Sequence, residues 1–271
     1  MLPDFDQPPV TEVIIGIQNA TTQFSNVHAG MFYERMKKRF PKVSEQDPLA
    51  AIFETFGPNP VQSGFHLQFG RTPTRYWFVT EDDCELIQIQ NDRFLHNWRQ
   101  TQASDKYPRF KKLFSEFVLE LDAWQKFLQD QNIGDLSINQ VEVTYINHIY
   151  TEGEGNPYAY LGDVFRFWAK DMPPQEGFPF DNATGSVRFL LQDEEGAPYG
   201  RLHAEFLPAF HNETQRAAIQ FQLTARAKPK QDTVDAARAT IEKCHEAIVK
   251  SFAGLTTAKM HELWGLKNVS D

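Results

Sequence analysis

Two histidine–glutamate pairs are the first residues that could do chemistry. His245-Glu246 and His261-Glu262 begin as a zinc-protease helix does, but neither has the second histidine four residues after the first that would close a metal site on one helix face. Cys84 and Cys244 are the only cysteines, and no Cys-x-x-Cys pair exists, so neither a zinc knuckle nor a disulfide framework is indicated. Cys244 falls on an apolar helical stripe, where a thiol packs as a small hydrophobe. His203 and Glu205 lie two apart and share a strand face. They are the types of an acid–base pair, but no nucleophile accompanies them, and exposed polar residues are the simpler reading. Gly153 and Gly155 in "EGEGNP" lack the strand-to-helix setting of a phosphate cradle. No Gly-x-Ser-x-Gly elbow occurs. Nothing here argues positively for catalysis, and no metal or cofactor is implied.

What the residue types do offer is recognition. In "ELIQIQNDRFLHNW", residues 85–98, Ile87 and Ile89 alternate with Gln88 and Gln90, and Asn91-Asp92 then separates two strand-like runs. The pattern predicts a hairpin with one apolar and one polar face. The same parity extends to other strand-like runs. Where Leu67, Val143, Val187, Phe189, Leu202, Phe206, Phe221 and Leu223 point one way, their neighbours point the other. The polar set comprises Gln68, Gln88, Gln90, Glu142, Thr144, Arg188, Arg201, His203, Glu205, Gln220, Gln222, Thr224 and Arg226. Glutamine offers a donor and an acceptor without a charge. A sheet face lined this way suits the polar groups of a peptide or protein segment, although a polar outward face is also the default of a solvated antiparallel sheet. The candidate contacts are therefore Gln68, Gln88, Gln90, Arg188, Arg201, His203, Glu205, Gln220, Gln222 and Arg226.

The elements that must position these residues follow a repeating order. Residues 11–18 read as a strand and 26–40 as a helix with Asn26 as candidate cap and Pro41 as stop. Four short runs within 65–98 read as a meander. A long helix spans about 108–129, with Phe110, Phe114, Phe117, Leu121, Trp124 and Leu128 at helical spacing. The order then restarts: a strand at 139–150, a short helix near 160–169, three strands, and a helix from about 232. That last helix carries Val234, Ala237, Ile241, Cys244, Ile248, Phe252 and Leu255 on one stripe. Such an order implies an α+β fold of two strand–helix–meander–helix units, residues 1–134 and 135–271. It resembles the saddle of TATA-binding-protein-like domains, with helices on the convex side. Each meander has one apolar face to cover, and each long helix supplies one apolar stripe.

Composition bounds the partners. The chain has 271 residues, 23 of them phenylalanine, which implies a core rich in rings. A net charge of −9 works against sequence-independent binding to nucleic acid. The one basic run, "ERMKKRFPK" at 34–42, spreads its cations around a helix. The amino terminus has neither the basic start nor the apolar segment of a signal peptide. No apolar run reaches the roughly 20 residues of a membrane span. A cytoplasmic location is the simplest expectation.

Several segments together carry a resemblance: "PPVTEVIIGIQ", "RYWFVTEDDCELIQIQNDRFLHNWR", "YPRF", "EVTYINHI" and the closing "FAGLTTAKMHELWG". The chain resembles, over nearly its whole length, a sporadically distributed family of prokaryotic proteins of similar length and uncharacterised function. The resemblance implies a patchily distributed accessory gene, and it brings no catalytic residues with it.

The expectation is a non-enzymatic binding or regulatory protein whose polar sheet face holds a protein or peptide partner. The alternative is an enzyme or sensor with a small-molecule cavity between sheet and helices, to which His148, His203 and Glu205 contribute. Pairing of an edge strand across a homodimer is a further option.

Overall fold

A high content of β-branched residues makes Val10–Asn19 a strand, β1, and it becomes the middle of the sheet. The structure, a computed structural model, describes residues 2–20, 22–57, 73–151, 156–169, 176–210 and 216–267. After β1 come helix α1 (Asn26–Met36) and strands β2 (Lys42–Gln46), β3 (Arg75–Val79), β4 (Glu85–Gln90) and β5 (Arg93–Arg99). Helix α2 (Phe110–Gln131) and strand β6 (Ile138–Ile149) follow. A 3-10 turn (Pro157–Tyr160) runs into the short helix α3 (Leu161–Val164). Strands β7 (Gly185–Gln192), β8 (Pro198–Phe210) and β9 (Ala217–Ala227) precede helices α4 (Val234–Leu255) and α5 (Ala258–Leu263).

All nine strands among the described residues join one antiparallel sheet in the order β2-β3-β4-β5-β1-β6-β9-β8-β7. The fold is therefore α+β, an open antiparallel sheet with helices. β1 pairs with β5 on one side and β6 on the other, so the seam between the two chain halves is a hydrogen-bonded ladder. Asn91 and Asp92 form the tight turn between β4 and β5, with Gln90 opposite Arg93. Gly200 shows how closely two strands approach. A Cβ there would come within 2.5 Å of the Arg226 carbonyl oxygen on β9.

The helices cover one face. α2 packs on β5, and α4 on β6 and β9. Their stripes bury Phe117, Leu121, Trp124 and Leu128 from α2, and Val234, Ala237, Ile241, Cys244, Ile248 and Phe252 from α4. Trp124 is the hub of the first half, with ring centroids 5.0 Å from both Phe24 and Phe32 and 6.0 Å from Phe94. Phe165 plays the same part in the second, 4.9 Å from Phe221 and 5.2 Å from Phe206. Trp264 is buried against Phe252 and Phe5, tying the end of the described chain to its beginning. No described helix is long and apolar enough to cross a membrane.

Some local expectations change. β2 has no clear apolar alternation and was not anticipated; Val43 and its neighbours are mostly exposed on the sheet edge. Ser25, one residue before Asn26, caps α1, and its backbone N–H donates to His28 Nδ1 at 3.1 Å. α2 starts after Arg109, which sits at φ 77°, so Pro108 precedes the helix. Phe189 has the helix-facing parity but is 42% exposed, because β7 is the outermost strand and α4 does not extend over it. Leu67, Gln68, Gly153 and Gly155 lie outside the described residues.

Candidate functional site

The parity of the strands puts Gln88, Gln90, Arg201, His203, Gln222 and Arg226 on the face away from the helices, since Ile87, Ile89, Leu202, Phe221 and Leu223 join the core. That face is not open throughout. Residues 47–57 leave β2 and cross it as an extended strap, and the polar residues hold the strap. Gln90 reads both main-chain groups of one residue: the Leu49 N–H donates to its Oε1 at 2.9 Å, and its Nε2 donates to the Leu49 carbonyl at 3.0 Å. Arg93 donates to the Ala50 carbonyl at 2.9 Å, and the Ile52 N–H donates to Gln18 Oε1 at 3.0 Å. This explains the amides. A passing main chain presents donors and acceptors alternately, and a side-chain amide can answer both.

The strap ends in an ionic lock. Arg201 Nη1 meets Glu54 Oε2 at 2.8 Å, His203 Nε2 meets Glu54 Oε1 at 2.7 Å, and Arg226 Nη1 lies 3.9 Å from the same oxygen. Arg201 also donates to the Thr55 carbonyl at 2.8 Å and sits over the Phe56 ring. Arg226 is held from behind by Glu142 on β6. The Glu54 side chain is only 7% exposed. Burial works to raise its pKa, but His203, Arg201 and Arg226 outweigh that and hold the carboxyl below its usual value.

The expected residues thus divide. Arg201, His203 and Arg226 converge on one carboxylate, and Gln90 grips the main chain. Gln88 is buried in a different role: its Oε1 accepts from Arg75 at 2.8 Å and Trp77 at 3.0 Å, and its Nε2 donates to Asn97 at 2.8 Å. Gln88 and Gln90 are therefore not solvent-facing, contrary to expectation, because neighbouring side chains and the strap cover them. Gln222 donates to Thr224 at 3.2 Å, and Gln220 lies 3.4 Å from His148. Arg188 is exposed opposite His203 on β7. Glu205 is two residues from His203, but His203 faces Glu54, so they form no acid–base pair. Sequence reasoning missed Glu54, Gln18 and Arg93. The parity of "QNDR" around the turn was a signal that could have found Arg93, whereas "PLAAIFETFG" has no periodicity that marks a strap.

Two further sites lie on the helix side. A cavity of about 390 Å³ sits between α2, α4, the sheet and the amino-terminal segment. Phe5, Val10, Phe110, Ile248 and Phe252 line it, and a hydrogen-bonded chain enters it. Tyr107 and Tyr145 share a hydroxyl contact at 2.9 Å, and Tyr145 meets His245 Nδ1 at 3.0 Å. Burial lowers the His245 pKa to about 4 and raises both tyrosines. His148 and His203 do not line this cavity. Cys244 next door is buried, its thiol pushed up to about 12 by desolvation, so it is no nucleophile.

The second site gathers Glu85 of β4, His96 of β5 and Glu116 of α2, each offering a ligand atom within 4.8 Å of the others. Sequence spacing could not show it, since three elements contribute. Comparison with known proteins returns no matching family model and no significant match among curated proteins.

Proposed function

We propose that the protein is a non-enzymatic binding or regulatory module whose polar sheet face grips an extended acidic segment, with residues 47–57 holding that place until a partner segment takes it. One observation carries this reading: the face already binds an extended chain, reading its backbone through Gln90, Gln18 and Arg93 and its carboxylate through Arg201, His203 and Arg226. A partner of the same chemistry would use the same groups. The strap acts at the high effective concentration of a tethered segment, about millimolar for a short linker, so only a well-matched partner displaces it. We read the architecture as two strand–helix–meander–helix units in a TATA-binding-protein-like saddle. The strand order supports this, since β5 and then β4 flank β1 on one side as β9 and then β8 flank β6 on the other. The resemblance to a patchily distributed prokaryotic family suits an accessory partner of the antitoxin or immunity type.

A fluorescent peptide copying residues 47–57 tests the grip. It is expected to bind a Glu54→Lys variant, whose own strap is repelled, at least tenfold more tightly than wild type. The same peptide with lysine in place of its glutamate should bind neither. Absence of binding to a folded Glu54→Lys protein would remove the basis for the proposal.

The cavity favours a second reading, a sensor of a small molecule. Its volume is in the range of small-ligand pockets, and its apolar walls converge on one polar chain. With p-cresol as a probe, the wild type is expected to gain thermal stability. Val249→Trp, which fills the cavity, should abolish the gain. An equal gain in both proteins would place the probe elsewhere.

A further inference from the structure

The cluster of Glu85, His96, Glu116 and Glu120 beneath α2 presents a charge and a donor atom that the surrounding chain leaves unanswered. His96 is fully buried and Glu120 is 3% exposed. Glu116 and Glu120 stand one turn apart on the face of α2 that looks at the sheet, and Glu85 and His96 come up from adjacent strands on the helix side. Glu120 Oε2 lies 2.7 Å from His96 Nδ1. An ionised carboxylate can only accept, so Nδ1 carries a proton; in the neutral imidazole the lone pair then lies on Nε2. That Nε2 is buried and has no hydrogen-bond partner among the described residues.

The charges do not close either. Arg39 takes one oxygen of each carboxylate, at 2.5 Å from Glu85 Oε2, 2.8 Å from Glu120 Oε1 and 3.3 Å from Glu116 Oε2. Three carboxylates against one guanidinium leave two negative charges. Lys112 reaches Glu116 only at 3.8 Å and is 58% exposed, so solvent screens it. Carboxylates gathered this closely and largely withdrawn from water are costly unless a cation answers them.

We propose that Glu85, His96 and Glu116 bind a divalent d-block cation, Zn²⁺ or Mn²⁺, with Glu120 as the carboxylate that orients the imidazole. One such ion balances the two excess charges while Arg39 stays in place. It also uses the Nε2 lone pair, with Nδ1–H held by a carboxylate as metal-bound histidines usually are. The nitrogen ligand argues against Mg²⁺ and Ca²⁺, which take oxygen. Glu85 and Glu116 are 16% and 22% exposed, which gives the ion a way in from solvent.

The test titrates the chelator-treated full chain with Zn²⁺, and separately with Mn²⁺, following uptake by calorimetry and native mass spectrometry. One ion per chain is expected. Glu116→Gln should remove most of the affinity, and Glu120→Gln should weaken it by about 10- to 100-fold, as loss of an orienting partner does. In wild type, long-range proton–nitrogen spectra of the imidazoles need no variant: Zn²⁺ should move the His96 Nε2 resonance while Nδ1 stays protonated. No uptake of either ion at millimolar concentration, uptake that Glu116→Gln leaves unchanged, or an unmoved His96 signal with Zn²⁺ bound would each overturn the site.

Discussion

Glu54→Lys should free residues 47–57 from the sheet while leaving the fold beneath intact. The substitution replaces a buried carboxylate with a cation among Arg201, His203 and Arg226. Breaking a buried pair by removing one partner costs about 3–5 kcal/mol, because the remaining charges stay desolvated. Here the loss is capped, since the strap can lift off and let water reach the arginines. Its full docking energy is therefore the most that can be lost, and we expect about 3 kcal/mol. Amide exchange at Leu49 and Ile52, whose N–H groups are held by Gln90 and Gln18, should then accelerate roughly a hundredfold. Exchange in β1 and β6 should stay slow. If the whole protein melts with the strap, the grip is part of the core and cannot be exchanged for a partner.

The same contact sets a pH dependence. The folded pKa of Glu54 lies below its ordinary value near 4.5. Its contribution is complete above about 4.5 and is lost as pH falls through the lower folded value. Strap opening in wild type, read as amide exchange relative to the intrinsic rate at each pH, should therefore increase below about pH 4.5, and in Glu54→Gln this acid step should be absent.

Trp124→Ala carries the other large effect, an expected loss of about 3–5 kcal/mol in urea unfolding. The indole is 1% exposed and packed among Phe24, Phe32, Phe94 and Phe127. Trp124→Phe supplies the contrast. The indole Nε1 is buried with no hydrogen-bond partner among the described residues. Phenylalanine removes that unanswered donor, which offsets part of the lost volume, so the cost should be about 1 kcal/mol. Equal costs for the two variants would mean that the indole N–H is hydrogen-bonded after all. Trp124 stands one helical turn from Glu120 on α2, so the alanine variant should also loosen the His96 cluster.

Much of this was legible in the chain itself, and for a physical reason. Period-two alternation in Ile87 to Gln90 and in Phe221 to Thr224 reports which side of a sheet is dry, and helical spacing in Phe117, Leu121 and Trp124 reports the element that covers it. Those signals are local. The strap is not local: Glu54 is 147 residues from Arg201 and 149 from His203 along the chain. Nothing in the sequence near Glu54 announces two arginines and a histidine brought together from β8 and β9. Gln88 and Gln90 had the right parity, but parity cannot say whether a polar face meets water or another piece of the same chain. The His96 cluster was hidden in the same way, split among β4, β5 and α2. His245 was noticed for a motif it does not complete, whereas its position against Tyr145 depends on α4 lying across β6.

The central place of β1 has a consequence during synthesis. It leaves the ribosome before both of its neighbours, β5 and β6, and β6 ends at Ile149. At typical elongation rates of about 5–20 residues per second, β1 waits on the order of ten seconds with at least one edge bare. Its run of Val13, Ile14, Ile15 and Ile17 is the kind of short, β-branched stretch that seeds intermolecular sheets. The residues around it act as gatekeepers: Pro8 and Pro9 have no N–H to donate to a ladder, Glu12 adds charge inside the strand, and Gly16 weakens its β propensity. Gly16 is also the position that Leu95 of β5 packs over in the folded sheet, so the residue that keeps the nascent strand quiet is the one that later admits its partner.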